Sequence, residues 1–244
     1  MKATAFENLF ENDFNQAAVD PGIKYPSYKS LDEFIDVARL RSLDAYMTEK
    51  INNHIETQRE DYFLNLYRLN EESPYQPGVR EIWLSRPRAG LSPDYLDLVD
   101  RVEAWERTEN AVEFDELIRF IETLPFAGTG RMLIIYDDAG KTVPAHRDHL
   151  DTKICNEFIW FRTNRRKPLY MLNPSTREKK YVASYSAWFD SVNQYHGSDA
   201  AEGLSFSIRV DGRFTDEFRA RIPKPGINPA SAPALWACVS EEEI

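Results

Sequence analysis

The stretch PAHRDHLD, residues 144–151, carries two of the chain's four histidines and twice sets an imidazole two positions before a carboxylate: His146 with Asp148, and His149 with Asp151. Extended backbone sends residues i and i+2 to the same side, so either pair aims a nitrogen and an oxygen donor at one point. A third histidine, His196, lies in NQYHGSD, 50 residues beyond His146 and 47 beyond His149. Both separations let a returning strand bring it alongside. Two imidazoles and one carboxylate on one face of an octahedral metal leave three positions open, the donor set of non-haem iron(II) oxidation centres. A His-x-Asp pair alone is common on surface turns, and its weight comes from what accompanies it.

What accompanies it is Arg209, 13 residues after His196 in the otherwise apolar SFSIRV. A guanidinium in such a strand needs a partner, because a buried charge is costly unless paired. A carboxylate ligand held by two parallel hydrogen bonds supplies one. Arg162, in the aromatic run EFIWFRT, has the same need, met either by a salt bridge or by a pocket ligand. Other polar residues read more plainly. Asp137-Asp138 before Gly140 is a turn, Arg165-Arg166-Lys167 is a solvated turn, and His54 in NNH lies on a polar helix face.

The elements that must position these groups fall into two halves. Before residue 128 the apolar spacing is helical: Leu31, Phe34, Ile35 and Ala38 behind a capping box at Ser30–Glu33, then Tyr46, Ile51, Ile55, Tyr62 and Leu66. Ser92-Pro93 opens a helix predicted from Tyr95 to Arg107, and Phe114, Leu117, Ile118 and Ile121 mark another. From Gly128 the pattern turns to short strands: 132–136, 157–163, 169–172, 180–182, 185–189 and 204–210, with NPSTREKK as a hairpin turn. Helices followed by strands give an α+β layout, the strands forming an antiparallel sandwich or barrel. Pro223, Pro225, Pro229 and Pro233 make the C-terminal stretch irregular.

Composition narrows the function. A 42% hydrophobic, 13% aromatic chain of 244 residues packs a core. A net charge of −10 without a basic patch argues against nucleic acid and favours a cationic or zwitterionic small partner. No apolar run reaches membrane-spanning length, and no basic-then-apolar leader opens the chain. Cys155 and Cys238, outside any CxxC, read as reduced thiols of a cytoplasmic protein.

The order His-x-Asp, distant His, then Arg in the next strand resembles the iron(II)- and 2-oxoglutarate-dependent oxygenases. The segments EFIWFRTN (157–164), AWFDSVNQYHGSD (187–199) and GLSFSIRVDGRF (203–214) are similar to the BesD-type free amino-acid (lysine) halogenases and their hydroxylase relatives. The resemblance implies a double-stranded β-helix, or jelly roll, with supporting N-terminal helices, in one oxygenase domain over 1–244. Residues 1–127 are then mainly helical, 128–219 the jelly-roll core and 220–244 an irregular segment over the pocket. It implies Fe(II), 2-oxoglutarate and O2, with iron on His146, Asp148 and His196. It gives the far carboxylate of 2-oxoglutarate to Arg209, with Arg162 a further cofactor-pocket candidate. Asp211, Arg213, Trp236 and His149 become substrate contacts. In the halogenases a glycine replaces the metal-binding carboxylate and leaves room for chloride. Asp148 stands there in this chain, which implies hydroxylation of a free amino acid, L-lysine or ornithine. The rival readings are a halogenase and a jelly-roll metal-binding or sensor protein without turnover.

Overall fold

The computed structural model describes residues 28–57, 79–88, 101–137, 140–146, 157–173, 176–189, 191 and 194–221. Its larger sheet has the order β1 (Lys29–Ser30), β10 (Ser186–Trp188), β7 (Phe158–Phe161), β12 (Ser205–Phe214), β5 (Phe126–Asp137), β2 (Val79–Trp83). A smaller sheet has the order β6 (Val143–His146), β11 (Tyr195–Ser198), β8 (Leu169–Leu172), β9 (Lys179–Tyr181). From β5 to β12 the chain passes back and forth between the two sheets, with only β8 and β9 consecutive in the same one, and the pairs within each are antiparallel. That winding is a double-stranded β-helix. A ribbon of β3 (Ser85–Pro87) and β4 (Trp105–Arg107) stands beside the larger sheet.

Alternation along the strands sorts the residues. Phe206, Ile208 and Val210 of β12 pair with Tyr136, Ile134 and Met132 of β5, while Ile208 and Val210 also pair with Phe161 and Ile159 of β7. This apolar face packs under the helices α1 (Val37–Ser42), α2 (Asp44–Glu56), α3 (Glu109–Glu113) and α4 (Asp115–Ile121), as in the Phe120–Phe161 ring contact at 5.6 Å. Each large apolar side chain buried here stabilises the fold by about 1.5–3 kcal/mol. The other face of the same strands carries Ser205, Ser207, Arg209 and Asp211 of β12, Asp137 and Leu133 of β5, and Trp160 and Phe158 of β7, and turns toward the smaller sheet. A fifth helix, α5 (Asp216–Arg221), follows β12.

Strand direction gives the barrel two ends. Asp137, Val143, Phe161, Leu169, Ser198 and Ser205 begin or end their strands at one end, where short loops join them. His146, Phe158, Leu172, Tyr195 and Phe214 lie at the other. The loop end is tied shut by Arg162, whose guanidinium donates to the carbonyls of Ser184 (2.9 Å from Nη2), Val182 (2.6 Å) and Lys167 (2.5 Å). Asp44 at the start of α2 accepts from Thr163 and Asn164, anchoring the same loop to the helical layer.

Several expectations change. The strands at 169–172, 180–182 and 204–210 and the helix around Leu117 are observed, each within a few residues. The capping box is not a helix start: Ser30 belongs to β1 and only a 3-10 turn, Asp32–Phe34, follows. Asp32 instead accepts from the backbone N–H groups of Tyr185 and Ser186, while Asp36 caps α1 through the Arg39 N–H at 2.9 Å. The helix predicted to reach Arg107 is, in its described part, a 3-10 turn and β4, because Trp105 turns inward against Trp83 of β2. His54 is buried, edge-on to Tyr136, rather than solvated. Tyr62, Leu66, Ser92-Pro93 and the C-terminal prolines lie outside the described residues, as do both cysteines. No helix among the described residues is long and apolar enough to cross a membrane.

Candidate metal and anion site

His146 ends β6 and His196 sits second on β11, and the register makes them direct Cα partners. Their rings lie 4.5 Å apart between centroids, inclined at 48°. The His196 Nδ1 is 3.1 Å from the Gln194 carbonyl, which takes up an Nδ1–H and leaves the Nε2 lone pair as a donor. Gly197 makes the approach of β6 possible. A Cβ there would meet the Val143 carbonyl at 2.6 Å and the Tyr170 hydroxyl at 2.7 Å. The residues fit a first-row divalent ion: two neighbouring imidazoles, of which His196 has its tautomer fixed and His146 stands two positions before the carboxylate of a His-x-Asp. That carboxylate, Asp148, lies outside the described residues together with His149 and Trp236. Among the described residues no group of three or more His, Cys, Asp or Glu side chains is gathered for a metal.

An aromatic path crosses the barrel from this pair. Phe189 lies 4.9 Å from the His196 ring, Phe158 lies 5.1 Å from Phe189, and the Arg209 guanidinium stands 4.1 Å over Phe158. His146 and His196 are thus neighbours, and two phenylalanines that the sequence reading did not single out link them to Arg209.

The remaining candidates move. Asp211 is fully buried and shared by two arginines, accepting from Arg131 Nε at 2.9 Å and Arg209 Nη2 at 3.0 Å. It orients guanidinium groups and is not free to meet a substrate ammonium, which corrects the contact expected of it. Arg213 is exposed at the end of β12, past the irregularity at Gly212, and not in the barrel interior. Arg162 is taken out of the cofactor set because its donors are engaged by the three carbonyls of the loop end and it lies against Trp160. Burial, and next the charge of Arg165, pull its pKa down to about 10, so it stays cationic near neutrality.

Two further groups were passed over. Asp137, read as a turn residue, is fully buried on the interior face of β5 and accepts the Lys141 N–H at 2.6 Å. Lys167, read as part of a solvated turn, is only 3% exposed although Arg165 and Arg166 beside it are open to solvent. No local signal separates Lys167 from its neighbours; its burial comes from the loop's fastening by Arg162 and Asp44.

No family model matches the sequence, and no curated protein does. Solved structures do match in shape. A Pseudomonas putida prolyl-4-hydroxylase aligns at TM-score 0.41 and 11% identity, over 83% of this chain and 99% of that one. A Trichoplax adhaerens prolyl hydroxylase, solved with a hypoxia inducible factor peptide fragment, aligns at TM-score 0.44 and 10% identity, over 92% of this chain and 99% of that one. A viral collagen prolyl hydroxylase from Paramecium bursaria Chlorella virus-1 aligns at TM-score 0.34 and 12% identity, over 77% and 94%. At such similarity nothing of their sites or substrates carries over, and the fold rests on the strand order itself.

Proposed function

We propose that the chain is an iron(II)- and 2-oxoglutarate-dependent oxygenase that hydroxylates an unactivated side-chain carbon of a free amino acid, L-lysine or ornithine. The observation that carries the proposal is the His146–His196 pair, set side by side across β6 and β11 and facing an interior arginine across two phenylalanines. Iron bound with 2-oxoglutarate would supply the oxidising chemistry, with succinate and carbon dioxide as coproducts.

The chain's own part is to bind, orient and exclude water. His146 and His196, with Asp148, would hold the metal. Phe189 and Phe158 keep the space between the imidazoles and Arg209 apolar, which strengthens every charge interaction inside it. Interior cations answer the carboxylate of the cosubstrate, with Arg209 the residue the resemblance designates. Asp211 fixes the plane of that guanidinium from behind. The resemblance gives Asp148 the position that a halogenase leaves to chloride, which supports hydroxylation over halogenation. The negative net charge of −10 is consistent with a cationic amino acid as substrate.

The test is a mass-spectrometric screen of free amino acids with iron(II), 2-oxoglutarate and chloride. A gain of one oxygen on lysine or ornithine, with stoichiometric succinate, is expected. A chlorinated product would make the chain a halogenase, and absence of succinate across the panel would favour a protein without turnover.

A further inference from the structure

The loop end of the barrel holds a buried cation that no described residue answers with a hydrogen bond. Lys167 lies between β7 and β8, its carbonyl fastened by Arg162 and by the Leu169 N–H. Its Nζ is buried with no hydrogen-bond partner among the described residues. Burial pushes its pKa down to about 8, and the charge of Asp137 pulls the other way. An unpaired buried ammonium is among the costliest features a fold carries, and such a group calls for a ligand.

Two hydroxyls at the same end are equally unanswered. Ser198 Oγ and Ser205 Oγ are buried without partners among the described residues. Ser198 is the Cα partner of Leu169, two residues after Lys167, and Ser205 is the Cα partner of Asp137, whose charge Lys167 feels. One cation and two donor hydroxyls, drawn from both sheets, thus line one end of the interior. This is the composition of a carboxylate site. Its place along the barrel fits as well. β11 is regular against β8 from Tyr195 to Ser198, so His196 and Ser198 share a face, about 6–7 Å apart along the strand. A five-carbon dicarboxylate chelating a metal at His196 reaches that far. Arg209, by contrast, already has Asp211 on Nε and Nη2 and Phe158 beneath it.

We infer that Lys167, with Ser198 and Ser205, is the principal anchor for the distal carboxylate of 2-oxoglutarate, and that Arg209, held by Asp211, belongs to the substrate side of the cavity. The inference rests on the cosubstrate reading above and names the residues that would carry it.

The experiment is calorimetric titration of 2-oxoglutarate into anaerobic, Mn(II)-loaded protein, for the wild type and for Lys167→Met, Ser198→Ala/Ser205→Ala and Arg209→Met, with thermal unfolding of each ligand-free variant. Removing the ammonium should weaken binding roughly tenfold to a hundredfold, more than Arg209→Met does. Lys167→Met should unfold close to the wild-type temperature, because the buried ammonium it removes makes no hydrogen bond to the described residues while Asp137 loses a nearby cation. The serine double variant, which leaves the lysine in place, should weaken binding by a smaller factor. Wild-type affinity in Lys167→Met or in the serine variant, or a larger loss in Arg209→Met, overturns the inference while leaving the cosubstrate reading intact. Failure of the metal-loaded wild type to bind 2-oxoglutarate removes that reading and the inference with it.

Discussion

The two faces of β12 are made by one stretch of ten residues and do opposite things. Phe206, Ile208 and Val210 point toward the helices and are matched by apolar partners on β5 and β7. Ser205, Ser207, Arg209 and Asp211 point into the barrel, where charge is buried at a cost to stability. Successive side chains on a strand differ by half a turn, so chemistry and cohesion are interleaved residue by residue yet kept physically apart. The lesson is that neighbours in sequence should respond independently to mutation here, whereas residues facing each other across sheets should respond together.

The largest expected effect tests the interior face. His196→Ala should cost roughly a thousandfold in turnover and abolish tight Mn(II) or Fe(II) binding by calorimetry, with little change in unfolding temperature. Asp211→Ala comes next. It leaves Arg131 and Arg209 without their shared carboxylate, and a loss of about 3–4 kcal/mol in denaturant unfolding is expected. If stability is unchanged, the two guanidinium groups have other sufficient partners and the interior face costs less than argued. Ile208→Ala, one position from Arg209, should destabilise by about 3 kcal/mol while leaving metal affinity within a factor of two. A large change in metal affinity would mean the two faces are not separable.

The smallest effect is a pH dependence. Lys167 has a folded-state pKa of about 8, below the ordinary 10.5. Between those values the unfolded chain holds a proton that the folded chain lacks, so stability of the ligand-free protein rises with pH. A gain of about 1 kcal/mol between pH 8 and pH 9 is expected in the wild type. Its disappearance in Lys167→Met, measured by urea unfolding at the two pH values, would assign it.

What the sequence makes legible follows the same division. Leu169–Leu172 and β12 are readable because continuous or alternating apolar residues leave little choice of structure. β2 and β4 escape notice because Arg80, Glu81 and Glu106 dilute a short apolar pattern, and Trp83 and Trp105 find each other only in three dimensions. The histidines of the proposed metal site and Arg209 announce themselves by residue type and order. Lys167, Asp137 and the pairing that occupies Asp211 do not, since each depends on which loop or strand is packed against it. The same holds for Arg162, whose need for partners was visible but whose partners are carbonyls from two separate loops.

Gly197 carries no reactive atom, yet it stands between the Val143 carbonyl, the Tyr170 ring and His196 of the proposed metal site beside it. Any larger residue there has to displace either a β6 carbonyl or a buried tyrosine, and the displacement is passed directly to the spacing of His146 and His196. A one-carbon change at a chemically silent position would therefore alter which ions the centre accepts before it altered whether the protein folds. A search for altered metal preference has reason to begin at that glycine rather than at the ligands themselves.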